Sequence, residues 1–372
     1  MVADPDSIAA AHRALDAEGV TTPFQTRPWV AAWVSSKAGT GRPLIMVGRT
    51  AERLDFVLPF EVARRGPFRV ARWMSGSHAS YNFGLWRRDA VPAAHDLVAS
   101  FDLVGRSAGI DAWALDNMPL TWKGLANPLA TAFGWYPALD DGHWFRLSTS
   151  FDELIGRRNA GHKRKKLKSK ERMLAAAGDY HISRALSDAD IHTALTAFFT
   201  QKADALERMG VADPFARAEV RRFYEVLATG TATDPAMLEV TRLAAGGAIR
   251  AVLGSIVREG TSHQLFVSTA RDDLSRASPG ETLFYRHIEA ACAAGLAGYD
   301  MGLGAERYKS SWCDEVVPLV SSVHPVGTKG RLVAALIANS DRIKASIRRD
   351  ERLWARVRAL RALLIGRAPG EA

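Results

Sequence analysis

The stretch 276–288, RASPGETLFYRHI, sets the two residues least suited to regular structure, Pro279 and Gly280, directly before a run with helical periodicity. Leu283, Phe284, His287, Ile288 and Ala291 recur at the spacing that places them on one helix face, so a helix begins at this pair. Proline loses nothing in a first turn, where its N–H would have no partner, and glycine lets another group approach the backbone closely. The residues leave two readings open. One is a plain turn; the other is a loop whose backbone N–H groups hold an anion, favoured there by unpaired donors and the helix dipole.

Reading outward from this pair gives the order of elements. Upstream, AMLEVTRLAA, AIRAVLGSIVRE and SHQLFVSTA are strand-like runs separated by Gly246-Gly247 and Gly260-Thr261, which predicts a meander of hairpins. Before them stand a basic helix over about 157–178, ended by Gly178, the strand YHISRAL, and two helices. The first of these opens at Ser187 and Asp188, the second at Asp213-Pro214. Downstream, YDMGLG is a short strand, AERYKSSW a short helix and VVPLVSSVHPV a final strand of the same half. The first half repeats part of this order. RPWVAAWVSS is helical, RPLIMVGR, RLDFVLPFEVARR and FRVARWMSG are strands, and SHASYNFGLW is a loop. A helix follows from Val91 to Gly105, then the strand IDAWALDNM. The repetition is one of architecture, without a residue-level repeat.

A chain of 372 residues is too long for one ordinary core, and a composition of 47% apolar and 24% charged residues is that of a soluble globular protein. Two mixed α/β domains are expected, over 1–150 and 151–327, followed by a basic amphipathic helix over 328–372. No N-terminal targeting pattern and no run of about 18 apolar residues is present, which makes the cytoplasm the expected location. The two cysteines, Cys292 and Cys313, make neither a disulfide framework nor a zinc site by themselves. The net charge of +9 is concentrated in two segments. Residues 157–172 carry +8 and 342–367 carry +7, so the remainder is mildly acidic rather than uniformly attractive to nucleic acid. The first segment, with Lys163 and Lys166, is either a solvated face or a contact for an anionic ligand. No aromatic residue interleaves its lysines, which argues against stacking on single strands. In the C-terminal helix, Leu336, Ile343, Ile347, Trp354, Val357 and Leu364 share a helical spacing that suits docking on the body, a partner chain or a membrane surface.

Ser278-Pro279-Gly280, followed by Asp300-x-Gly302-x-Gly304-x-x-x-Tyr308-Lys309, resembles the GNAT N-acyltransferase fold. Together with TPFQTRPWVAAW (22–33), SYNFGLW (80–86) and GHKRKKLKSKERMLAAAG (161–178), it is similar to the CelD-type acetyltransferases associated with cellulose and exopolysaccharide biosynthesis. These in turn resemble the tandem-GNAT FemAB-type transferases. The likeness spans about residues 20–325. It departs from the usual Arg/Gln-x-x-Gly-x-Gly/Ala loop, since LSRASPGE has one glycine and a following Glu281.

The resemblance implies two tandem GNAT-like domains, the first degenerate, and an acyl-CoA donor bound by the second without a metal. Backbone groups of Phe266, Val267 and Ser268 would pair with the donor's amide chain, and Ser278, Pro279 and Gly280 would face its pyrophosphate. Acyl transfer to an amine or hydroxyl of a small-molecule, sugar or polysaccharide-precursor acceptor asks for a base and an acid. Tyr308 is the candidate acid and Asp300 the candidate base; Lys309 would hold a phosphate or acidic acceptor. Each has a structural alternative: a ring packed under the sheet, an Asx-type turn at MGLG, and a solvated lysine. Glu306 and His263 are weaker base candidates. Gly302, Gly304, Tyr81 and Asn82 are placed by the same resemblance at an acceptor cleft between the domains. An aminoacyl-tRNA donor, as in FemAB-type enzymes, and a scaffold without catalysis are the competing functions.

Overall fold

A computed structural model describes residues 2–3, 5, 7–156, 160–304, 309 and 312–349. The fold is mixed α/β, with two large mixed sheets in two compact units, one formed by residues 1–141 with 318–372 and the other by 142–317.

The first unit opens with helices α1 (Ala9–Glu18) and α2 (Arg27–Ser35), then the meander β1 (Arg42–Thr50), β2 (Arg53–Arg65) and β3 (Phe68–Trp73). Helix α3 (Ala94–Ser107) leads into β4 (Ala112–Pro119), which runs parallel to β3. The short α4 (Pro128–Ala132) and β5 (Tyr136–Pro137) follow. Side chains alternate across the strands, so Phe60, Trp73 and Trp113 pack with Phe101 of α3 on one face.

The second unit begins with β6 (Gly142–Arg146), α5 (Phe151–Gly156) and the basic helix α6 (Ala160–Ala176). Next come β7 (His181–Arg184), α7 (Asp188–Arg208), α8 (Ala218–Thr229) and the meander β8 (Glu239–Ala245), β9 (Ala248–Arg258), β10 (Thr261–Thr269). Ser187 caps α7 by accepting from the Asp190 N–H, as its sequence predicts. Helix α9 (Pro279–Ala293) and β11 (Gly298–Leu303) follow, and β12 (Glu315–Val317) ends the unit. One sheet face packs on α9 and α6 through Leu167, Leu174, Leu283, Ile288 and Tyr299. On the other, Phe198 of α7 stacks on Phe266 of β10 at 3.9 Å.

One expectation is corrected. The last predicted strand, β13 (Leu319–Pro325), does not finish the second sheet: it pairs antiparallel with β4 in the first. In exchange β6, which the expected boundary at residue 150 put in the first domain, pairs antiparallel with β11 in the second. The large-sheet orders are therefore β1-β2-β3-β4-β13-β5 and β7-β8-β9-β10-β11-β6-β12, with Val2–Ala3 extending the first at its edge. Helix α10 (Gly327–Arg349) packs Val333 and Ile337 on Val70, Ala112 and Ala114, so it completes the first unit. Its Leu336 and Ile343 remain exposed; Trp354, Val357, Leu364 and the side chain of Ile347 lie outside the described residues. Among the described residues no helix is long and apolar enough to cross a membrane.

Candidate active site

Strands β10 and β11 pair in parallel only at Thr261–Gly298, Ser262–Tyr299 and His263–Asp300, after which they part. Strand β10 continues to Thr269, held on one edge by β9, while β11 is held on its far edge by β6. Phe266, Val267 and Ser268 therefore keep one strand edge that no described strand covers. A bulge opposite Gly254–Ser255 turns the strand there. Gly254 is required at that point, because a Cβ would lie 2.2 Å from the Phe266 ring. The Phe266 and Ser268 side chains point to α7, where Ser268 Oγ donates to Gln201 Oε1 at 2.7 Å. Val267 faces the opposite side, into a cavity.

That cavity, of about 340 Å³, is lined by Gln264, Val267 and Thr269 of β10, by Gly280, Glu281, Phe284 and Tyr285 of α9, and by Trp312. Helix α9 begins beside it. Ser278 adopts a left-handed conformation (φ 46°), Pro279 takes the first helical position, and no side chain caps the N-terminus. The N–H groups of the first turn therefore carry no side-chain cap that an anion would have to displace. The small size of Gly280 has a second use beyond admitting a ligand. A Cβ there would lie 2.2 Å from Thr269 Oγ1, so the glycine also lets α9 seat on β10.

Glu281, in the same first turn, is paired with Lys170 and, at 3.4 Å, with Lys166 of the basic helix. Burial alone would push its carboxyl up, but hydrogen bonds and charge from the two lysines outweigh that and hold it below the usual range. Helix α6 is locked further by Glu171, whose two oxygens each accept from Arg286 at 2.7 Å, and by Leu167 and Leu174 in the core. The basic helix is therefore a packed wall of the donor helix on one side, while Lys165, Lys168 and Arg172 are exposed on the other. Arg157, Arg158 and the side chain of Lys163 lie outside the described residues.

At the point where the strands part, His263 Nδ1 meets Asp300 Oδ2 at 2.8 Å, both residues being buried. The other oxygen of Asp300 accepts the Gly302 N–H at 2.8 Å, which closes the turn that Gly302 (φ 69°) and Gly304 (φ 98°) permit. The turn-forming alternative considered for Asp300 is thus seen at one oxygen, and the other oxygen meets His263. Lys309 is buried and its Nζ donates to the Leu303 carbonyl, tying down the end of β11. Tyr308 and Glu306 lie outside the described residues. Beneath the sheet His287 joins Tyr299 (Nδ1 to Oη, 2.8 Å) and Ser255 (Nε2 to Oγ, 3.1 Å), and burial lowers its pKa to about 4.

Tyr81 and Asn82 are in the first unit and are buried. Asn82 accepts from Gln25 Nε2 at 3.1 Å and donates to the Asp116 carbonyl at 3.0 Å. Thr22 Oγ1 and Gln25 Nε2 both donate to the Tyr81 carbonyl at 3.0 Å. Sequence reasoning passed over Gln264, Thr269, Phe284, Tyr285 and Trp312. Thr269 shares the period-2 face of Val267 in SHQLFVST, but Gln264 reaches that face only through the bulge at Gly254–Ser255, which the sequence did not show. Trp312, distant in sequence, gave no signal.

Residues 161–310 match the model of the acetyltransferase (GNAT) domain family. That segment is similar to a GNAT domain. Solved structures are similar in fold over about nine tenths of the chain. FemX aligns with a TM-score of 0.59 at 11% identity, over 91% of this chain and 99% of its own. A domain described as that of a lysylphosphatidylglycerol synthetase from Agrobacterium fabrum aligns at 0.56 and 13% identity, over 90% and 97%. L-PGS from Bacillus licheniformis aligns at 0.52 and 10% identity, over 92% and 98%. At these identities the likeness is one of fold. No curated protein matches the chain in sequence.

Proposed function

We propose that the chain is an acyltransferase that takes its acyl group from an acyl-CoA bound in the second unit and passes it to an amine. The observation that carries the reading is the parting of β10 from β11 beside an uncapped helix N-terminus. An extended donor would lay its amide chain along Phe266–Ser268 and its pyrophosphate on the first turn of α9, at Ser278–Gly280. Its thioester would then lie near His263 and Asp300. Lys166 and Lys170 stand beside the same turn and supply positive charge for the phosphates.

In this reading Asp300 orients the His263 ring through Nδ1, and the imidazole is the group that takes a proton. The amine nitrogen attacks the thioester carbonyl carbon, the C–N bond forms and the C–S bond breaks. His263 receives the proton lost by the amine, and the departing thiolate is protonated by Tyr308, the acid that the sequence offers. Lys309 holds the end of β11 rather than the acceptor.

The test is calorimetric titration of the whole protein with CoA and acetyl-CoA at low and moderate salt. Binding that persists at moderate salt, and that Val267→Trp removes by filling the cavity, supports the reading. Absence of binding, or binding that disappears with salt as a general polyanion effect would, refutes it. A second reading, a donor carried on RNA, is favoured by one observation. Lys165, Lys168 and Arg172 are exposed on the side of α6 away from the donor helix, and Glu281 already occupies charge that a pyrophosphate would use. Loss of transfer on ribonuclease treatment would select it.

A further inference from the structure

Gln264 is the first residue of β10 beyond its last pair with β11. It is 7% exposed and its Oε1 has no hydrogen-bond partner among the described residues. It lines the cavity between β10 and α9. A carboxamide oxygen only accepts, and leaving one buried without a donor is unfavourable enough that such atoms are rare in folded proteins. Beyond Thr269, Gly280 and Glu281, which stand at the α9 N-terminus, the wall is Val267, Phe284, Tyr285 and Trp312, so the unmet oxygen stands out in its apolar and aromatic part.

Position along the strand says which part of a ligand meets it. Thr269 and Gly280 touch at the end of the cavity nearest the α9 N-terminus, where phosphates would bind. Gln264 lies at the opposite end, at the parting of the strands and next in sequence to His263. A donor anchored by its phosphates therefore brings its acyl group, not its nucleotide, to Gln264. A plain alkyl group would cover the aromatic wall and leave Oε1 dry and unpaired. An acyl group with a hydroxyl or an amine would fill the same space and satisfy it.

We infer that Gln264 selects a donor whose acyl group carries a hydrogen-bond donor, a hydroxyl or an amine close to the carbonyl, over plain acyl groups such as acetyl or butyryl. The inference rests on the second unit being the donor site. Calorimetry on the whole protein with CoA, butyryl-CoA, 3-hydroxybutyryl-CoA and β-alanyl-CoA tests it. At least one of the two polar thioesters should bind about tenfold more tightly than butyryl-CoA, and the tighter of them identifies hydroxyl or amine. Gln264→Leu, close in volume, should erase that preference without weakening butyryl-CoA binding, while Gln264→Glu keeps an acceptor and should retain it. Equal affinity for all three thioesters in the unaltered protein overturns the inference, as does a preference that survives Gln264→Leu. If CoA and every thioester fail to bind, the donor reading falls and this inference falls with it. Binding of CoA without discrimination fails the inference alone.

Discussion

Both units part their parallel strands, and they treat the opening in opposite ways. In the first, β3 and β4 pair from Val70–Ala112 to Arg72–Ala114 and then separate. The long connection from Met74 to Ala93 returns to the opening, where the Asn82 N–H donates to the Asn117 carbonyl at 2.9 Å and Nδ2 to that of Asp116. In the second, the connection from Ala270 to Ser278 is short and runs straight into α9, and the opening is left to a cavity. The strand order creates a gap in either case. What the next loop does decides whether a ligand can use it. The last paired register differs as well: His263 and Asp300 in the second unit, Arg72 and Ala114 in the first. In the first unit, burial lowers the Arg72 pKa and raises that of Asp116.

The comparison breaks most severely if β13 is removed. Truncation after Val317 deletes the strand between β4 and β5 together with α10, so the first unit should lose its cooperative unfolding entirely, read by circular dichroism and limited proteolysis. An intact first unit in that truncation would refute the strand exchange. Opening the filled gap comes next. Asn82→Ala strips Gln25 Nε2 and the Asp116 carbonyl of a buried partner and should cost about 4 kcal/mol in denaturant unfolding. Val267→Trp, aimed at the unfilled gap, should leave stability within about 1 kcal/mol and abolish donor binding instead. The same kind of loss in both variants would mean that the two gaps do not differ in kind.

The sequence made the second unit more legible than the first. Three alternating runs split by glycine turns, then Pro279-Gly280 before a helical stripe, fix local structure through backbone chemistry that needs no distant partner. Residues whose role depends on a distant partner were not readable. Leu319–Pro325 reads equally well as a strand of either sheet, and only the Cα partners along β4 assign it. Asn82 reads as an exposed loop residue until Thr22 and Gln25 are seen to hold its neighbours from almost sixty positions away. Asp300 and His263 were each named as candidates, while their contact needed the parallel register that places them side by side.

His287 belongs to the second unit alone and makes it the more acid-sensitive half. Its folded pKa of about 4 lies below the ordinary imidazole value of about 6.5, so the unfolded chain takes up the proton first. The stability it supports is complete above about pH 6.5 and is lost as pH falls toward 4, by about 3 kcal/mol in total. His287→Gln keeps a polar link to Ser255 and Tyr299 and should flatten the stability profile of the second unit across that window. A profile that keeps its slope would assign the acid sensitivity elsewhere.

The smallest effect sharpens the comparison most directly, because it concerns whether the open gap is also a charged one. Glu281 puts a carboxylate into the first turn of α9, favourable to the helix dipole but in competition with a phosphate for Lys166 and Lys170. Replacing it by Gln removes a half-exposed ion pair, which should cost about 1 kcal/mol and cost less in high salt. The two lysines are then left to the donor, so CoA should bind severalfold more tightly in Glu281→Gln, with a steeper dependence on salt. In the first unit the corresponding helix α3 has no side-chain cap and carries Asp96 in its first turn, with Asn82 filling the gap before it, so Asp96→Asn should leave CoA binding unchanged. If both substitutions raise the affinity alike, the effect is one of net charge and not of a site. If Glu281→Gln weakens binding, the carboxylate holds the lysines in place for the donor instead of competing with it.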